Sequence, residues 1–130
     1  MSTQNFDLVL QGYDAFSHGD IPTVLGIFDP NIQWHVPGRS PLSGDYKGHD
    51  EVIAFFSKTR ELSAGTFSIE INDVLANGQL VVVLCTASAQ RIGQHWSSPE
   101  VHVWRVVNGQ AVEFREYQGD QQTEAEFWSK

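Results

Sequence analysis

Two ionisable residues stand where strand alternation predicts a buried face. In P-E-V-H-V-W-R-V-V-N-G-Q-A-V-E-F-R-E-Y-Q, from Pro99 to Gln118, His102 and Glu116 are interleaved with Trp104, Val106, Val112 and Phe114. A polar group on such a face needs a partner or a purpose, because burying it unpaired is costly. A histidine beside a carboxylate supplies both. The carboxylate raises the imidazole pKa and burial lowers it, so a matched pair titrates near neutrality, where general acid–base catalysis operates. The same two residues in a structural role would form a buried hydrogen bond that fixes sheet register. Tyr13 is the third candidate: a phenol on the inward face of a helix donates to a ligand oxygen, or is a core aromatic whose hydroxyl reaches a pocket.

Other chemistries lack their residues. His18, His35, His49, His95 and His102 show no metal-ligand spacing such as H-x-x-x-H, and the single Cys85 lies in an apolar run as a buried, inert thiol. No metal is expected. Neither G-x-x-x-x-G-K-[ST] nor a strand-borne G-x-G-x-x-G occurs, so no nucleotide or dinucleotide cofactor is expected, and there is no nucleophile elbow. Eight Lys and Arg against sixteen Asp and Glu give a net charge of −8, which argues against nucleic acid or an anionic membrane as partner. No signal peptide or membrane-length apolar run is visible, and a cytoplasmic protein is expected.

The elements that must position these residues follow from periodicity. At 130 residues the chain predicts one domain, residues 1–130, long enough for a real core. Phe6, Val9, Leu10, Tyr13 and Phe16 mark one face of a helix from about Asn5 to Ser17. Asp20 caps a short second helix carrying Val24, Leu25 and Phe28, with Pro22 in its first turn. Ile32 to Val36 alternates as a strand, and Pro37 to Lys47 reads as an irregular loop bearing Arg39 and Tyr46. A third helix is predicted over Gly48–Leu62 with Val52, Ile53, Phe55 and Phe56 on its apolar side. Beyond it, four strands follow in hairpins, and Thr123-x-x-Glu126 suggests a capping box for a short terminal helix docking Phe127 and Trp128. Helices followed by strands indicate α+β, with helices packed on one face of a curved antiparallel sheet. On the other face Val101, Val103 and Val107, with one side of the apolar strand around Val81–Leu84, predict a broad apolar surface and hence a homodimer through the sheet.

Hairpin register decides which groups meet. A two-residue Asn108-Gly109 turn pairs Val107 with Gln110 and carries Glu113 and Arg115 to the face of His102 and Trp104. A three-residue loop with Gly109 in a left-handed bulge position pairs Val106 with Gln110, sets His102 opposite Phe114, and places Glu116 on the diagonal from His102. The second keeps charge off the apolar face and is the preferred register, since a one-residue slip flips every side chain.

The chain also resembles a known family. Y-x-A-F-x-x-G-D at Tyr13–Asp20, W-x-V-P-G at Trp34–Gly38, G-x-Y-x-G at Gly44–Gly48, V-H-V-W-R at Val101–Arg105 and F-R-E-Y at Phe114–Tyr117 are similar to the SnoaL-like group of the NTF2-like superfamily. The resemblance spans essentially the whole chain. It implies a cone, with a curved sheet wrapped around three N-terminal helices and a pocket at the wide end. The superfamily includes ketosteroid isomerases, limonene epoxide hydrolases, polyketide cyclases, scytalone dehydratases and non-catalytic binders, so the fold alone leaves function open. Against ketosteroid isomerase, Tyr13 matches the oxyanion-hole tyrosine and His102 the protonated oxyanion aspartate, while the general-base position carries Val36. Against limonene epoxide hydrolase, Glu116 matches a catalytic aspartate, but Leu84–Ala89 lacks the partner Arg and Asp.

Two functions are expected from these residues. One is a cofactor-independent acid–base enzyme of isomerase, cyclase, dehydratase or hydrolase type, acting on a small, largely apolar molecule. There His102, Glu116 and Tyr13 would be catalytic, and Trp34, Val36, Phe56, Trp104 and Phe114 would line the pocket. The other is a non-catalytic module of the same fold that binds a hydrophobic ligand or a partner protein.

Overall fold

The computed structural model describes residues 2–130, and side chains from residue 4 onward. Helix α1 (Ser2–Ser17) and helix α2 (Ile21–Ile27) lead into strand β1 (Phe28–Val36). Strand β2 (Gly44–Lys47) and helix α3 (Gly48–Ser63) come next. Strands β3 (Ser68–Asn77), β4 (Leu80–Arg91), β5 (Gln94–Val107) and β6 (Gln110–Gln118) then precede helix α4 (Gln121–Ser129). The six strands form one sheet in the order β2-β1-β6-β5-β4-β3. Strands β3 to β6 are the antiparallel meander that the sequence predicts. The sheet as a whole is mixed, because β1 joins β6 in parallel. This is the α+β architecture expected, with a fourth, C-terminal helix added to the three N-terminal ones.

Local chemistry explains most boundaries. Asp20 caps α2 by accepting from the Thr23 amide, and Pro22 sits where no intrahelical donor is needed. Three expectations shift. Phe28 opens β1 rather than closing α2, because its backbone pairs with Ala111 of β6. The loop after Val36 contains β2, whose Gly44–Lys47 backbone pairs with Val36–Gln33. The cap of α4 is Asp120, which accepts from the Thr123 amide, and not Thr123. The chain turns from β6 into α4 at Gly119. Its amide donates to the Pro99 carbonyl at 2.9 Å, and a Cβ there would lie 2.8 Å from Pro99 Cγ.

The β5–β6 hairpin has the two-residue turn of the first predicted register, not the preferred three-residue loop, and departs from both registers beyond it. Asn108 and Gly109, with φ of 52° and 77°, form a two-residue turn pairing Val107 with Gln110. Val106 pairs with Ala111, but Arg105 pairs with Glu113, so Val112 is an extra residue in β6. This β-bulge, not a longer loop, segregates the charges. Trp104 faces Phe114 rather than Val112, and His102 lies directly opposite Glu116 rather than diagonal to it. Without the bulge His102 would face Arg115.

The core has two parts. The larger gathers Ile32, Val52, Val81, Val83, Val106 and the aromatic rings between helices and sheet; the smaller packs Phe127 and Trp128 of α4 on Trp96, Ala87 and Ala89. Arg91 holds α4 in place, its guanidinium donating to the carbonyls of Leu62, Phe127 and Lys130. The outer face of β3 to β5 is the apolar one expected: Leu75, Leu80 and Leu84 are exposed and Val82, Val101 and Val103 half-buried.

Candidate functional site

Strand alternation aims Trp96, Ser98, Glu100, His102 and Trp104 of β5 inward, all of them buried. From β6, alternation past the bulge adds Phe114, Glu116 and Gln118; α1 contributes Tyr13; α4 contributes Glu124, one turn before Phe127 and Trp128. All of these except Ser98 line a cavity between helices and sheet, about 820 Å³ when the open solvent at its mouth is counted. Tyr13, Trp34, Val36, Phe56, His102, Trp104, Phe114 and Glu116 all border it, whereas Arg39 and Tyr46 of the loop do not. The Tyr46 hydroxyl donates instead to the Leu42 carbonyl at 2.7 Å.

His102 is held from both ring nitrogens. Nδ1 lies 2.6 Å from the Tyr13 hydroxyl, and Nε2 lies 2.9 Å from Glu100 Oε1. Trp104 Nε1 donates to the Tyr13 oxygen at 3.0 Å. The neutral tautomer with its proton on Nε2 satisfies every partner: Tyr13 then donates to Nδ1 and Nε2–H donates to Glu100. Donation runs from Trp104 to Tyr13 to His102, with Glu100 as the final acceptor. Glu116 is farther from the histidine, with Oε1 at 3.9 Å from Nε2, and its Oε2 accepts from Gln118 at 2.7 Å. Glu100, absent from the predicted pair, is therefore the hydrogen-bond partner of His102.

Burial and mutual repulsion set the proton affinities. Glu116 is pushed up to about 7, first by burial and then by the Glu100 carboxylate, against the opposing pull of His102 and Gln118. Glu124 is pushed up to about 11 by burial, by the charge of Glu100 and by a side-chain hydrogen bond with it, with smaller contributions from Glu116 and Asp120. It is a protonated carboxylic acid at neutral pH. Burial also raises Tyr13 well above the usual phenol range, so it keeps its proton and remains a donor. The Cys85 thiol, 3.7 Å from His102 Nε2, is pushed up to about 12 by burial and by Glu100 and Glu116, and is no nucleophile.

Two signals in the sequence point to the missed carboxylates. Glu100 stands two residues before His102 and so shares its face. Glu124 precedes Phe127 and Trp128 by three and four residues, which puts it on the docking face of α4. Ligand atoms of Glu100, Glu116 and Glu124 lie within 4.8 Å of one another, as do those of Cys85, Glu100 and His102, so either trio is compact enough to ligate a cation. The second trio would require Cys85 to give up a proton that its surroundings retain.

The cone-like fold around an aromatic cavity places the chain in the NTF2-like class. Within that class it belongs to the SnoaL-like family, whose domain model matches residues 9–114. It is 30% identical over 127 residues to an uncharacterized protein of Mycobacterium tuberculosis, covering 96% of each chain. Among solved structures it is similar to Bal32a, from a soil-derived mobile gene cassette, with a TM-score of 0.94, 34% identity and 98% of each chain covered. It is also similar to an NTF2-like protein of unknown function from Burkholderia pseudomallei, with a TM-score of 0.89, 30% identity and 98% of each chain covered. Among the described residues no helix is long and apolar enough to cross a membrane.

Proposed function

We propose that this protein is a cofactor-independent acid–base enzyme, of isomerase, cyclase, dehydratase or hydrolase type, acting on a small, largely apolar molecule. One observation carries the reading: Glu116, whose carboxyl is pushed up to about 7, borders an aromatic cavity beside the Tyr13–His102–Glu100 chain. A base with a pKa near the working pH combines a useful ionised fraction with a strong pull on the proton. Glu116 takes a proton from an activated C–H or O–H of the substrate and returns it at a second atom. Tyr13 turns its one hydroxyl proton from His102 Nδ1 to the substrate oxygen on which charge develops, while the Trp104 indole N–H holds the phenol in place. Trp34, Val36, Phe56, Trp104 and Phe114 exclude water. A second copy packs on the apolar outer face of β3 to β5.

The test is incorporation of deuterium from D2O into a panel of apolar ketones, followed by NMR. The expected rate rises with pH through about 7 as Glu116 ionises, and Glu116→Gln lowers it by about 10²- to 10⁴-fold. Unchanged exchange in that variant would sink the assignment. The non-catalytic alternative has one observation in its favour: the hydrogen bonds of Tyr13 and His102 are complete without a ligand. It predicts ketones that bind but do not exchange.

A further inference from the structure

The acidic groups of the cavity exceed what its acid–base chemistry uses. Glu100, Glu116 and Glu124 converge on it from β5, β6 and α4, and among the described residues no Lys or Arg lines it. Glu124 is only 3% exposed, and apart from the hydrogen bond its carboxyl shares with Glu100, its Oε2 meets no donor. A buried acceptor left unsatisfied in a ligand cavity marks a place where a donor or a positive charge is missing. The remaining wall is aromatic, with Phe16, Phe56, Trp96, Trp104, Phe114 and Trp128 among its members.

We propose that the cavity takes a small aromatic or alicyclic molecule bearing a positively charged nitrogen, seated with that nitrogen against Glu100 and Glu124. Aromatic faces attract an organic cation through their quadrupoles, most strongly where water is excluded, and carboxylates complete the match. A hard metal ion suits the site less well. Such ions need six or more oxygen ligands or retained water, and indole and phenyl rings supply neither. The charge balance follows from the groups that face the pair: Tyr13 from α1, Cys85 from β4, His102 beside Glu100 on β5, Glu116 from β6, and Asp120 ahead of α4. None of these supplies a fixed positive charge, so Glu124 stays protonated in the free protein. An arriving cation takes the place of that proton, and binding is linked to proton release.

This inference rests on the cavity being the ligand site and is tested by binding alone, so its failure leaves the acid–base reading standing. The probes are benzyltrimethylammonium, whose charge does not titrate, and neopentylbenzene, its uncharged isostere. Both are followed by tryptophan fluorescence, and the first also by calorimetry in two buffers of different ionisation enthalpy. The cation is expected to bind at least about tenfold more tightly than the isostere near pH 8, with release approaching about one proton and affinity falling up to about tenfold per pH unit on acidification. Glu124→Gln, checked for folding by circular dichroism, abolishes the proton release. Equal or tighter binding of the isostere overturns the proposal, and this comparison needs only the wild-type chain. Proton release unchanged in Glu124→Gln, or displacement of the probe by an equal concentration of Zn²⁺, overturns it as well.

Discussion

The two faces of strand β5 have exchanged their usual polarity. Inward, Glu100 and His102 are buried among aromatic rings; outward, Val101 and Val103 are only half-buried, beside the exposed Leu84 and Leu80 of β4. The inner charges persist because each has a partner or keeps its proton: His102 to Tyr13 and Glu100, Glu116 to Gln118, and Glu124 as an acid. The outer valines have no such device. A half-exposed apolar side chain is tolerated singly, but a row of them across three strands is a surface that association covers. The inner face buries ionisable groups at a cost in stability, while the outer face leaves apolar area uncovered, which the proposed second copy would cover.

The contrast can be broken in four places, from the largest effect to the smallest. His102→Ala leaves the Tyr13 hydroxyl and the Glu100 carboxylate buried without their partner and is expected to destabilise the fold by about 3–5 kcal/mol. A chemical-denaturation midpoint close to wild type would contradict the network. Glu116 comes next. Its folded pKa, about 7, is above the unfolded value of 4.5, so its contribution to stability is fully present below the unfolded value and lost as pH rises through the folded one. The difference in unfolding free energy between Glu116→Gln and wild type should therefore shift in favour of the variant by about 3 kcal/mol across that window. A flat difference curve would mean that the carboxyl is hydrated. Glu124→Gln keeps the shape of a group that carries no charge at neutral pH and removes its ionisation altogether. Because the unfolded chain ionises this carboxyl at pH 8 and the folded chain does not, the variant is expected to be more stable there by at least about 1 kcal/mol, measured by thermal melting. On the outer face, Val103→Glu should change monomer stability by less than about 0.5 kcal/mol while shifting the species seen by light scattering from dimer to monomer. A monomeric wild-type chain would remove the outer half of the comparison.

The sequence announced the fold through periodicity and through local punctuation such as Asp20-Ile21-Pro22 and Asn108-Gly109. Element order was legible because each helix and each meander strand carries its own pattern. The parallel β1–β6 pair was not, because no local signal states which distant strands become neighbours. Nor was the bulge at Val112, since a valine marks no irregularity, and it takes the remainder of β6 to show that a regular ladder would bring Arg115 inward. His102 stood out as a charge among apolar residues. Glu100 did not, because it follows Pro99 near what read as the start of a strand, whereas β5 begins six residues earlier at Gln94. Glu124 was hidden for a different reason: an acidic residue in a first helical turn is ordinarily a favourable surface charge, and only the docking of α4 turns it inward.

Gly119 lies outside the cavity, yet the chain turns there into the helix that carries one of the cavity's acids. The contact between its backbone and Pro99 leaves no room for a methyl group, and the direction of α4 is set there. Any side chain at this position would swing the helix that brings Glu124 to Glu100, hydrating both carboxyls and returning Glu124 toward ordinary acid strength. Substitution at position 119 is thus expected to act on that acid from a distance, with no residue of the cavity wall replaced.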